Sequence, residues 1–135
     1  MYTNTKATLY NGYVDSQGLT KYKRTVLDSV HWEGIQAISR LSNSSENADT
    51  AKISIPFNVV TDSVYAKPKA FNKLSDKSGY FTLNEDDKIA KGIIPSSVLF
   101  KDLENDYDDV VNIVSVDTAD YGSVNMHHWE LVGRW

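Results

Sequence analysis

The clearest pattern of apolar and polar positions lies in "AKISIPFNV", residues 51–59, where Ile53, Ile55 and Phe57 fall on one side and Lys52, Ser54 and Pro56 on the other. Period-two alternation of this kind predicts a half-buried strand. Pro56 has no N–H to give to a ladder, so the strand should lie at an edge or end there. "KYKRTVLDSVHWEG", residues 21–34, alternates as Tyr22, Arg24, Val26, Asp28, Val30 and Trp32 and predicts a long strand with one wet end, stopped at Gly34. "GIQAISRL" would extend it beyond a bend. "ATLYNGYV" is rich in aromatic and β-branched residues, and Asp15, Ser16 and Gly18 supply turn chemistry after it. "GYFTLNEDDKIAKGII" predicts two short strands around an acidic turn at residues 84–87. "DVVNIVSVDTADYGSVNMHHWELVGRW" predicts a terminal hairpin whose first strand, residues 110–116, is apolar on both faces and therefore central.

Only "PSSVLFKDLENDY" changes period. Phe100, Leu103 and Tyr107 are spaced i, i+3, i+7 behind a cap at Ser96 or Ser97, which predicts one helix of about two to three turns. Two stretches lack periodicity: a Ser/Asn loop at 42–50 and a lysine-rich connection at 61–78 containing Pro68. The expected architecture is mainly β: one domain over residues 1–135, a small antiparallel barrel or sandwich with one short helix and two long polar loops. Its expected core is Val26, Val30, Trp32, Ile53, Ile55, Phe57, Ile89, Leu103, Ile113, Trp129 and Leu131.

Composition narrows the functions. The 135 residues include no cysteine, which excludes disulfides and thiolate metal sites. Neither a signal peptide nor a membrane span is predicted, so the chain is expected to be made in a cytoplasm, away from membranes. A net charge of −4 argues against general nucleic-acid binding. The charges are segregated, however. Lys67, Lys69, Lys73 and Lys77 crowd one stretch, whereas Glu85, Asp86, Asp87, Asp102, Glu104, Asp106, Asp108 and Asp109 crowd the next. Solvated loops explain such runs most simply; contact between basic and acidic segments of neighbouring copies is the sharper reading.

The residues carrying potential chemistry are few. His127 and His128 are adjacent, so on a strand they face opposite ways and do not converge on one ion. His128 and Glu130 share a face, but a metal would need a third ligand such as His31 or Asp117. No nucleophile elbow, glycine-rich phosphate loop or EF-hand spacing occurs. No catalytic residue, metal or cofactor is therefore expected. Tyr10, Tyr13, Tyr22, Trp32 and Trp129 offer an alternative, a carbohydrate- or ligand-binding module with a stacking platform; a hydrolase ranks below it.

The blocks "RTVLDSVHWE", "ENADTAKISIPF", "DKIAKGI" and "SVDTADYGSVNMHHWEL" resemble a family of small proteins from phage and prophage structural modules of Gram-positive bacteria. The resemblance runs from "TLYN" to the terminal Trp-Glu strand and implies a head-completion or stopper protein. Such proteins are small β-barrels ringed between portal, adaptor and tail. By that implication the chain belongs in the virion, assembled in the host cytoplasm. Its partners would be further copies, portal or adaptor proteins and tail-completion proteins, with DNA passing through unread. The stretch 61–78 is then expected to contact neighbours rather than pack on its own domain. Val64, Tyr65, Lys67, Lys69, Phe71, Lys73 and Lys77 would meet Asp102, Glu104, Asp106, Asp108 and Asp109.

Overall fold

The computed structural model describes residues 2–36 and 49–135. Its strands are β1 (Thr5–Val14), β2 (Thr20–Gln36), β3 (Asp49–Pro56), β4 (Val64–Tyr65), β5 (Tyr80–Phe81), β6 (Lys88–Lys91), β7 (Val110–Ala119) and β8 (His128–Arg134). Six of them close into an antiparallel barrel in the order β1-β2-β3-β8-β7-β6, with β6 returning to β1. Closure leaves the barrel without a free sheet edge. β3 ends at Pro56, paired with His128, as the missing N–H of proline requires. The terminal hairpin forms as expected between β7 and β8.

Inside, Leu9, Leu27, Val30, Trp32, Ile53, Ile55, Ile89, Val111, Ile113, Trp129 and Leu131 form one continuous core. Three expected core residues lie outside it: Val26, Phe57 and Leu103, the last buried in a second cluster. Thr5 pairs with Val30 but Ala7 pairs with Leu27, so β2 carries one extra residue at Asp28/Ser29. That bulge switches the inward phase from Thr25 and Leu27 to Val30 and Trp32, leaving Val26 half-buried on the outer side. Phe57 falls just past the end of β3 and is 38% exposed, leaning on Trp129 at a ring-centroid distance of 4.5 Å. β2 also runs straight through Gly34 instead of stopping there. A second bulge separates Ile113 and Ser115 on β7, which turns Val114 outward.

The second expected strand pair is not a hairpin. β5 pairs in parallel with β4, whereas β6 joins the barrel. Phe81 at the end of β5 and Leu83 just after it drop into the core. The backbone at Thr82 is thereby buried without a strand neighbour, and the side-chain amide of Asn11 takes the neighbour's place. Asn11 Nδ2 donates to Thr82 O at 2.8 Å, and Thr82 N donates to Asn11 Oδ1 at 3.1 Å. Asp87 completes the clamp, accepting from Asn11 Nδ2 at 2.9 Å and from Gly12 N at 3.1 Å.

A second apolar cluster lies outside the barrel. Tyr10, Ala90 and Val110 face outward and are covered by Ile94, Leu103, Val98, Phe100 and Tyr107. Leu103 is thus buried as expected, in this outer layer. The helical segment is shorter than its spacing implies: a 3-10 turn at Phe100–Asp102 runs into α2 (Leu103–Asp106), and no serine caps it. The layer is fastened by Thr8 Oγ1, which donates to Gly92 O at 2.8 Å and accepts from Ile94 N at 3.0 Å. Of the two long polar loops, the one expected at 42–50 lies outside the described residues as far as 48, and its last two residues open β3. The other contains β4 and a helix not anticipated, α1 (Pro68–Lys73), with Pro68 at its first turn where no N–H is needed.

Two outcomes test this packing. Gly133 faces Val111 so closely that an added Cβ would sit 2.9 Å from Val111 Cβ and nearer still to Cγ2. Gly133→Ala should cost about 1–3 kcal/mol by overpacking, and adding Val111→Ala should return part of that loss in urea unfolding. Asp87 is the second. Burial pushes its carboxyl above the usual range, against the hydrogen bonds from Asn11 and Gly12. With the folded value raised, only at pH between the ordinary carboxylate value and the folded one does the folded state hold a proton that the unfolded state has released. The Asp87 contribution therefore grows as pH falls through the folded value toward the ordinary carboxylate range. Asp87→Asn presents one oxygen to two donors and should cost about 1–3 kcal/mol at neutral pH. The gap from wild type should widen in denaturant titrations as pH falls from 7 toward 4.

Candidate functional site

Apolar side chains of the described residues occupy the barrel interior, which directs attention to the outer surface. A groove of about 790 Å³ opens between the β1–β2 hairpin and the turn that follows α1. One wall is Tyr13, Val14, Asp15 and Ser16 with Lys21, Tyr22, Lys23 and Arg24; the other is residues 74–78 with Asn72. The hairpin wall is shaped by Asp15, which closes the turn by accepting from Gln17 N and Leu19 N at 2.9 and 2.8 Å. Gly18 completes that turn at φ +80°, a conformation that suits glycine. The facing wall is held by Phe71, only 1% exposed, packed edge-on against Tyr13, and by Lys77, whose ammonium sits over both rings.

The groove carries four cations and two carboxylates, and their partners differ in kind. Lys21 pairs with Asp15 at 3.2 Å. Lys23 Nζ donates to Arg24 O at 3.1 Å and to Ser63 Oγ at 3.2 Å. The Arg24 guanidinium donates to Ile94 O, reaching it from Nε at 2.9 Å. Lys77 Nζ donates to Leu74 O at 2.7 Å. Among the described residues, Lys23, Arg24 and Lys77 therefore have neutral oxygens and aromatic faces for partners but no carboxylate. The acids are already engaged. The Leu19 N–H holds Asp15 below the usual carboxylate range, helped by Lys21 and Gln17, and the Ser78 N–H does the same for Asp76.

The structure redistributes the residues singled out in the sequence. Lys67, Lys69 and Lys73 are exposed, and Val64 is 65% exposed. Tyr65 and Phe71 are not available to a neighbour. Tyr65 packs on Trp129 and Phe81, and Phe71 fills the space under the groove wall. The expectation that residues 61–78 do not pack on their own domain is thus overturned. Two aromatic rings spaced along a polar run suffice to anchor it. Glu104 pairs with Lys88 and Asp102 is half-buried, while Asp106, Asp108 and Asp109 stand exposed. Trp135 Nε1 donates to Asp108 O at 2.9 Å and Lys91 N donates to Asp109 O at 2.9 Å, which fixes this acidic rim. Lys21, Lys23 and Arg24 were passed over in the sequence, although the run "KYKR" beside a turn was their visible signal.

The histidines and aromatics resolve simply. His128 opens β8 and places Nδ1 2.8 Å from Met126 O, while His127 precedes the strand and lies edge-on to Phe57. His31, Ser54, Glu130 and Asp117 do fall in one cross-strand row. Lys52 claims Glu130 at 2.7 Å, and that carboxylate raises the lysine's pKa. No three His, Cys, Asp or Glu side chains converge as metal ligands among the described residues. Tyr10, Trp32 and Trp129 are buried, Tyr13 packs on Phe71, and Tyr22 stacks on Phe100 at 3.5 Å between ring centroids. These five rings do not form a common platform.

Residues 2–134 match a family of unknown function, DUF6751. The chain belongs to that family. No curated protein and no solved structure matches it.

The anchoring of the lysine-rich stretch has a direct test. Phe71→Ala should cost about 3–5 kcal/mol, as expected for a large-to-small change at a buried site. Urea unfolding followed by tryptophan fluorescence measures it; a loss below about 1 kcal/mol would place the ring outside the fold's cooperative core.

Proposed function

We propose that this DUF6751 member is a non-catalytic structural subunit of a bacteriophage particle. In this reading it self-associates into a ring at the head–tail interface, as a head-completion or stopper protein. Portal or adaptor and tail-completion proteins are its neighbours, and DNA passes through the ring without sequence-specific contact. The observation that carries this reading is the unmatched charge on two separately anchored surfaces. Lys67, Lys69 and Lys73 project from one, and Asp106, Asp108 and Asp109 from the other. None of the six is in an ion pair among the described residues. Unlike patches on one subunit suit head-to-tail contact, the geometry that generates rings. The apolar core inside the barrel supports a role carried by the outer surface, and the resemblance of its sequence blocks to phage head–tail proteins supplies the setting. A net charge of −4 suits a channel along which DNA slides, because phosphate binding strengthens with each cation that displaces counterions.

The expected outcome is concentration-dependent self-association in sedimentation velocity at low ionic strength, weakened as salt screens the charges. In induced particles from a strain carrying the gene, antibody against this chain should label the neck between head and tail. A chain that stays monomeric at high concentration and is absent from purified particles overturns the assignment.

A further inference from the structure

We propose that the groove between the β1–β2 hairpin and residues 74–78 receives the acidic rim Asp106–Asp109 of a second copy of this chain. The proposal rests on the self-association reading and names the two surfaces that meet. Lys23 and Lys77 are half-buried cations whose partners within the described residues are carbonyls, hydroxyls and two rings, whereas Arg24, next to Lys23 on β2, turns its guanidinium to Ile94 O in the outer layer. Removing a cation from water is costly unless an anion accompanies it. Neutral acceptors orient these groups but leave their charge uncompensated. Asp15 is paired with Lys21, and Asp76 makes no ion pair among the described residues, so two carboxylates face the three lysines Lys21, Lys23 and Lys77. The groove therefore holds a net positive charge within a chain of net charge −4.

The complementary surface has the matching deficit. Asp106, Asp108 and Asp109 are exposed carboxylates outside any ion pair of the described residues, carried on a segment that does not need to reorganise. Buried Leu103 and the bonds to Asp108 O and Asp109 O hold it in place. Among the described residues these acids make no ion pair with the groove's cations, so both surfaces stay unmatched within one subunit. The rim is held by β6 and Trp135, and the groove lies along the β1–β2 hairpin. Satisfying one subunit's groove with the next subunit's rim makes a heterologous contact, which propagates until the rotation closes. Preformed, oppositely charged surfaces also speed encounter and set its register.

Two variants and their mixture test this. Asp106→Lys/Asp108→Lys/Asp109→Lys alters only exposed positions and keeps the groove. Lys23→Gln/Lys77→Gln keeps the rim and retains side-chain hydrogen-bonding groups in the groove; far-ultraviolet circular dichroism confirms that each folds. Each variant alone should self-associate at least about tenfold more weakly than wild type. Mixed one to one, they retain one intact groove and one intact rim and should form a heterodimer that grows no further. Should wild type associate while both variants match it, the groove assignment falls and self-association survives. A wild type that stays monomeric removes both. Salt-sensitive binding of a duplex oligonucleotide to wild type, lost in Lys23→Gln/Lys77→Gln, would make the groove a nucleic-acid site and overturn the proposal.

Discussion

The bonds made by the Asn11 side chain hold the rest of this structure in place. A barrel whose mouth is filled by an irregular segment must bury peptide groups that no strand serves, and each unpaired group is expensive. One primary amide on the inner face of β1 offers a donor and an acceptor spaced like those of a peptide, and Thr82 uses both. Asp87 then determines which way that amide points, since a carboxylate only accepts and must face Nδ2. Asp87 immediately precedes β6, and its backbone oxygen accepts from Ile113 N on β7. The clamp therefore joins the mouth filler to the strand that closes the barrel.

Around this frame, the two outer segments are built alike. Each is polar in sequence, each is pinned by a few apolar side chains, and each leaves its charges in water. Phe71 and Tyr65 pin the lysine-rich segment, while Leu103, Ile94 and Phe100 pin the acidic one. Charge sits on rigid supports as a result, so little ordering entropy would be lost when an oppositely charged surface arrives.

Alternation made the barrel's strands legible, and it named most of the inward residues correctly on β3, β7 and β8. It failed on β2 because one extra residue at Asp28/Ser29 inverts the phase, and no composition signal marks a bulge. The lysine-rich stretch misled for a different reason. Period and composition average over a window, whereas burial of Phe71 depends on a distant hairpin presenting Tyr13. The groove was hidden in the same way: Lys23 and Lys77 come to line one groove through folding alone. The lysine and aspartate runs were visible as runs; which members were already paired within the chain was not.

Strand order also has a consequence for synthesis. β3 emerges early, yet its second neighbour is β8, the last of the barrel strands in chain order, which also borders β7. Until β8 arrives, β3 presents a bare edge bearing Ile53 and Ile55 to whatever lies nearby. The nascent chain thus passes through an open sheet with sticky, unpaired backbone, the form most prone to pairing with a neighbouring chain. Pro56 stands at the end of that edge, where its missing N–H shortens the template such a neighbour could use.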